Sequence, residues 1–266
     1  MLLDYSRLGW LRYALTGVAA LVCAYLLAPI AVIVALSFGS SQWLKFPPPG
    51  WTLKWYRALL ADPDWLTAFL TSLEIAVIVA VLSTGIGLMA SFGLTRGSFR
   101  GREALRALFL TPMVLPVVIF AVALYGVFLR LHLNGTLVGF VLAHLVVALP
   151  FAIIAIGNAL ERFDVAIEDA AVLCGASRTQ ARLRVTLPAI RLGLFAAALF
   201  SFLASWDEVV VAIFMASPDL QTLPVKIFTS LRQDLSPVIA AVSSCLVVLT
   251  ALLMGAAALL RRGRPT

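Results

Sequence analysis

The chain has 266 residues, 62% of them hydrophobic and 12% charged, with a formal net charge of +7. Soluble domains carry roughly 25% charged residues, so this composition excludes a single water-soluble fold and makes lipid the solvent for most of the chain. The basic residues flank apolar runs and form no soluble patch, so nucleic acid is not needed to explain the positive charge.

Taken in chain order, residues 13–44 contain no Asp, Glu, Lys or Arg, and neither do 75–95, 107–129, 131–160 and 235–260. The run 192–218 is interrupted only by Asp207 and Glu208. A helix needs about 20 apolar residues to cross a hydrocarbon core of about 30 Å. The pattern predicts an all-α membrane protein forming one transmembrane domain over 1–266. Its six spans lie at approximately 13–39, 68–94, 107–129, 137–157, 188–214 and 237–260. A barrel would show short alternating segments of about 10 residues, and these runs do not alternate. The first run follows Arg7 and Arg12 and contains a small-residue site at Ala35-Leu36-Ser37. It is far longer than the roughly 7–15 residues of a signal-peptide core and is expected to remain as a span.

The first outer loop, 40–67, opens with the stiff segment Pro47-Pro48-Pro49. A short helix follows, capped by Thr52. Trp55 and Tyr56 suit either a membrane-interface anchor or a docking surface for an outside protein. Pro112 and Pro116 are expected to kink span three. His144, in the same span as Pro150, reads as a packing or hydrogen-bonding residue. Cys23, Cys174 and Cys245 show no paired spacing, so neither a disulfide framework nor a zinc site is expected.

Six spans in this order divide the Lys and Arg residues unevenly. Fourteen lie on the side of the termini: Arg7, Arg12, Arg96, Arg100, Arg102, Arg106, Arg162, Arg178, Arg182, Arg184, Arg191, Arg261, Arg262 and Arg264. The other side holds Lys45, Lys54, Arg57, Arg130, Lys226 and Arg232. Both termini are therefore expected in the cytoplasm.

That orientation puts the loop 163–188, between spans four and five, on the cytoplasmic face. Asp164 can cap a helix start, Glu168 and Asp169 fall early in that helix, and Gly175 is a natural left-handed stop. Ser177 and Gln180 have capping-box spacing for a second helix over Arg178–Val185, and Pro188 can open the fifth span. A straight helix would then carry Pro188 to Asp207 over about 28 Å. On physics alone the hairpin is either a surface-lying amphipathic element or a docking knob for a cytoplasmic partner.

The residues Asp169-Ala170-Ala171, Gly175 and Val185-Thr186-Leu187-Pro188 keep every spacing of the cytoplasmic motif of ATP-driven (ABC) importer permeases of the MetI-like kind, with Asp for Glu and Val for Ile. The chain resembles that family. The resemblance implies a coupling helix seated in an ATPase subunit, with Asp164, Glu168, Asp169, Ala170, Ala171, Gly175, Ala176, Ser177, Leu187 and Pro188 at the contact. It also implies a multi-pass bacterial inner-membrane protein and three partners: a homologous but different second permease, a cytoplasmic ATPase dimer and a periplasmic substrate-binding protein. The sequence holds no Gly-x-x-x-x-Gly-Lys-Ser/Thr phosphate loop, so ATP and Mg are expected in the partner, with no cofactor in this chain. No His-Glu-x-x-His or Gly-x-Ser-x-Gly motif and no nucleophile–base pair suggest catalysis or a metal site, so an enzyme is not expected. A secondary transporter acting alone is the remaining alternative, and it would not need the loop spacing.

Charged groups inside spans are costly and usually mark function. Glu74 in span two and the Asp207–Glu208 pair in span five are expected at similar depth, roughly 9–10 Å from the outer ends. They either form an acidic constriction for a cation, with the Trp206 ring adding cation–π contact, or snorkel to the interface. Phe163-Asp164-Val165, His144 with Leu149-Pro150-Phe151, Asp207-Glu208-Val209-Val210-Val211 and Leu223-Pro224-Val225-Lys226-Ile227 resemble spermidine/putrescine permeases. That resemblance implies a polyamine solute. The same subgroup leaves aminophosphonates, opines and amino-acid derivatives open.

Overall fold

The computed structural model describes residues 10–233 and 235–262. Arg7 and Arg264, counted above for orientation, lie outside the described residues. Among these residues the secondary structure is helical, with two isolated β-bridges and no strand. Two compact units form, one from residues up to 63 together with those from 229 onward, the other from 64–228.

In the first unit α1 (Leu11–Ser37) and α2 (Lys54–Ala61) both pack on the C-terminal helix Val238–Arg262. The end of α1 is tied to α2 by polar contacts. The Trp55 indole N–H donates to Gly39 O at 2.7 Å, and Ser37 Oγ lies 2.7 Å from the Tyr56 hydroxyl. Both rings thus have partners within the protein. Thr52 was expected as the helix cap. The capping position is Leu53, and the Thr52 hydroxyl instead accepts from Lys54 N at 3.2 Å, one residue out of register.

The second unit begins at Asp64, within α3 (Pro63–Arg96), which is 34 residues long and thus longer at both ends than the expected span. Next come α4 (Arg102–Val114) and α5 (Val117–Arg130). These were expected as one kinked span, but they meet at 107°. Leu115 is extended, with ψ 141, because the ring of Pro116 pushes its predecessor out of helical geometry. Pro116 also lacks the N–H that would continue the ladder.

Helix α6 (Leu137–Arg162) runs through the middle of the unit, its start capped by the Thr136 hydroxyl on Gly139 N. Small residues let its neighbours approach closely. A Cβ on Gly87 of α3 would stand 2.8 Å from Ala152 Cβ, and one on Gly193 would collide with Ala159. Ser91 Oγ donates to Ile153 O at 3.1 Å, a further α3–α6 tie. One apolar cluster joins Ile75, Val79, Phe128, Phe140 and Met215; another joins Ile156, Leu160, Ile190 and Ala197.

The remaining elements are α7 (Val165–Leu173), α8 (Arg178–Ala181), a π-helical turn (Arg182–Thr186), α9 (Leu187–Ala189), α10 (Arg191–Trp206), α11 (Val210–Met215) and α12 (Leu223–Gln233). The C-terminal helix of the first unit is α13. The expected straight fifth span from Pro188 to 214 is not observed. Arg178–Ala189 and α10 meet at 70°, and α10 ends at Trp206 before α11 resumes. Pro188 has no N–H to offer the carbonyl four residues back, and the wider π turn occupies that stretch. The direct helical link expected from Pro188 to Asp207 therefore gives way to a bent path.

Among the described residues three helices, α1, α3 and α6, are long and apolar enough to cross a membrane, and the two bent pairs meet the same test jointly. The apolar part of α13, Val238–Leu252, is shorter.

Candidate functional site

The loop 163–188 folds as a capped hairpin. Asp164 Oδ1 accepts from Ala166 N at 2.9 Å and so starts α7. At the other end Gly175 adopts φ +94, its N–H donates to Val172 O at 2.9 Å, and Ala176 N donates to Ala171 O at 3.1 Å. These paired bonds make a Schellman stop, which needs a left-handed residue where Gly175 stands. The Ser177 hydroxyl and the Gln180 amide then satisfy each other's backbone N–H groups in a reciprocal capping box.

A nine-residue helix with this many caps presents two distinct faces. Glu168, Ala171 and Val172, spaced i, i+3 and i+4, turn inward. Asp169, Ala170, Val165, Ile167 and Leu173 turn outward, and Leu173 is 89% exposed. Asp169 pairs with Arg178 at 3.5 Å on the surface, a contact worth about 0–1 kcal/mol. Ala176 is half-buried, Ser177 exposed, Leu187 half-buried and Pro188 exposed. The outward apolar residues Ile167 and Leu173 were not singled out from sequence. The signal was present as apolar residues beside the motif's small ones, but burial in a hairpin core would read identically.

Glu168 differs from its neighbour Asp169. It is 3% exposed and accepts from Thr186 Oγ1 at 2.8 Å and from Arg182 Nε at 3.2 Å. Arg96, the last residue of α3, adds an ion pair at 3.7 Å. The Arg96 guanidinium lies 5.8 Å from the Phe163 ring centre, and that of Arg182 lies 5.5 Å from Phe92. A buried carboxylate is tolerable only with such partners. Removing one member of a buried pair costs about 3–5 kcal/mol. The family resemblance groups Glu168 with the residues at the ATPase contact. The structure places it inside, against residues 14 and 18 positions downstream, a separation no local pattern encodes.

The acidic residues near the end of α10 are arranged differently. Asp207 is exposed at the helix end, and among the described residues its carboxylate has no hydrogen-bond partner. Glu208 is half-buried, and its Oε1 accepts from Val211 N at 2.8 Å, one residue ahead of the usual cap position. Glu74 is exposed on α3. Trp206 stacks on Phe202, with ring centres 5.7 Å apart, and meets Phe69 edge-on at 5.6 Å, so one of its faces is already occupied. Just before it, Ser205 Oγ lies 2.9 Å from Nδ1 of buried His144, a bond joining α10 to α6. The three carboxylates are thus not joined by direct contacts.

Comparison with known proteins supplies the context. Residues 83–264 match the family described as binding-protein-dependent transport system inner membrane component. The spermidine/putrescine transport system permease protein PotC of Escherichia coli K12 is 30% identical over 248 residues, 93% of this chain and 94% of that one. The putrescine transport system permease protein PotI of the same strain is 32% identical over 227 residues, covering 83% and 80%. In fold, the chain superposes with TM-score 0.68 on a bacterial ABC transporter involved in import of the acidic polysaccharide alginate, at 16% identity and covering 100% and 99% of the two chains.

Proposed function

From the premise that this chain belongs to the family of binding-protein-dependent transport system inner membrane components, and is therefore an integral membrane permease subunit and not an enzyme, we propose that it forms half of the path of an ATP-driven importer for a polyamine such as spermidine or putrescine. The observation that carries the solute class is the PotC relative, whose likeness runs over nearly the whole of both chains.

The proposed topology is a single domain of six spans with both termini in the cytoplasm of a bacterial inner membrane. Support comes from α1, α3 and α6, the two bent pairs, and the apolar helix α13, together with the uneven placement of Arg residues. The proposed partners are a homologous, different permease, a cytoplasmic ATPase dimer that binds ATP and Mg, and a periplasmic substrate-binding protein. In this reading the hairpin of α7 and α8 is the coupling element. Asp169, Ala170, Ile167 and Leu173 form its outward face, while Asp164, Gly175, Ala176 and Ser177 shape it. Leu187 and Pro188 lead from it to α10. Closure of the ATPase dimer moves the hairpin, and the permease pair alternates between inward-open and outward-open states.

At the other end Asp207, with Glu74, Glu208 and Trp206, is proposed to face the passing cation. Asp207 is best suited, because its carboxylate is exposed and has no partner among the described residues. The test is uptake of labelled spermidine by proteoliposomes holding the assembled transporter and its binding protein. ATP-dependent uptake, competed by putrescine, is expected. Uptake that persists without ATP overturns the importer reading, whereas ATP-dependent transport that ignores polyamines overturns only the solute.

A further inference from the structure

We propose that Glu168 is a positioning residue, an internal strut that makes the hairpin move as one body with the inner end of α3 and with the π turn leading to α10. The inference rests on the permease reading above and adds to it the route by which the hairpin's motion enters the membrane helices. Chain connectivity alone gives only two joints. Phe163 leads from α6 into α7, and the bent segment 187–190 leads into α10. Both are bends, and a bend transmits force poorly because it can flex.

Glu168 bypasses both joints. One carboxylate oxygen takes the Thr186 hydroxyl at 2.8 Å and the Arg96 guanidinium at 3.7 Å, while the other takes Arg182 at 3.2 Å. Three chain segments, the end of α3, the middle of α7 and the π turn, therefore meet at one buried side chain. Two arginines facing each other without an anion would repel, so the carboxylate is what permits them to converge. Phe163 and Phe92 sit against the two guanidinium groups and restrict their directions. Thr186 is fully buried, and its hydroxyl needs a partner there. Widened π turns are frequent at functional sites. Here the turn ends on the residue whose hydroxyl reaches Glu168.

The test uses the full transporter in lipid nanodiscs with its ATPase. Native Cys174, exposed just after α7, carries one spin label. A second is placed at Gly93→Cys on α3, where a side chain meets nothing within 4 Å. Cys23→Ser and Cys245→Ser remove the other thiols. The parent should show one narrow distance distribution whose width is the same in nucleotide-free and ATP-trapped states. Glu168→Ala should at least double that width. Glu168→Gln, which keeps shape but loses charge, should fall between and serves if the alanine variant does not assemble. Parent-like widths in either variant overturn the proposal. In proteoliposomes, spermidine imported per ATP hydrolysed should fall about tenfold in Glu168→Gln, with hydrolysis itself retained. A fall of uptake and hydrolysis together indicates simple loss of structure and also overturns it. If the parent fails to import spermidine, the solute reading falls while the distance result still decides the strut.

Discussion

The hairpin 163–188 and the helix break 206–211 are both short, polar interruptions in an apolar chain, yet they use their polar groups in opposite ways. In the hairpin the polar side chains are largely committed. Asp164 and Ser177 cap, Gln180 closes the box, and Glu168 binds Thr186, Arg182 and Arg96. At the break, Glu208 caps α11 but Asp207 stands exposed with no partner among the described residues. Satisfied polar networks rigidify, which suits an element that passes on force. An uncommitted carboxylate stays available to a cation. A costly polar residue is thus informative chiefly through whether the fold has already satisfied it.

The contrast can be broken most sharply at Gly175. A side chain there has open space within 4 Å but must adopt φ +94. Gly175→Val should therefore act through backbone strain alone and cut ATP-dependent uptake at least about tenfold, equivalent to about 1.4 kcal/mol. Membrane insertion should remain normal by fractionation. Gly175→Ala should do less, since alanine lacks the branched Cβ. Equal uptake in the valine variant would show that hairpin shape is not needed.

A smaller effect is expected at the break. Asp207→Asn should raise the apparent KM for spermidine about fivefold, the low end of a single coupled interaction, and leave the melting temperature unchanged. Glu208→Ala should instead lower stability by about 1 kcal/mol, because it removes a helix cap. Thermal unfolding in detergent separates the two. If Asp207→Asn destabilises the protein or leaves KM untouched, Asp207 is not the uncommitted group described here.

Ser177→Ala removes one half of the capping box and should cost about 1 kcal/mol. Arg178→Ala removes the exposed pair with Asp169 and should cost about 0.5 kcal/mol or less. A ranking with Arg178 above Ser177, measured by unfolding, would mean that surface charge and not capping holds the hairpin.

Local chemistry was legible along the chain. Asp164, Gly175 and the Ser177–Gln180 pair announce their caps within a few residues of the groups they satisfy, and the structure has those bonds. The apolar runs likewise lie where α1, α3, α6 and α13 form. The bends were less legible. Pro116 signals a break but not its 107°, because the angle depends on what the two halves pack against. The bond from Val211 N to Glu208 was not legible either, because the apolar run carries no sign that a helix restarts at Val210.

From the sequence came the apolar segments, the starts of both hairpin helices, the stop of the first at Gly175, and the spacing that carries the family likeness, whereas the second helix, expected over Arg178–Val185, ends at Ala181 and gives way to the π turn. The legible features are set by side chains and backbone groups within one or two helical turns of each other. The tertiary structure was needed to decide that Glu168 turns inward while adjacent Asp169 turns outward, that the expected fifth span bends by 70° at Ile190 and its helix breaks after Trp206, and that His144 binds Ser205. Those outcomes depend on burial and on partners up to 72 positions away, as Arg96 is from Glu168, and a desolvated carboxylate goes wherever the fold gathers enough donors to hold it.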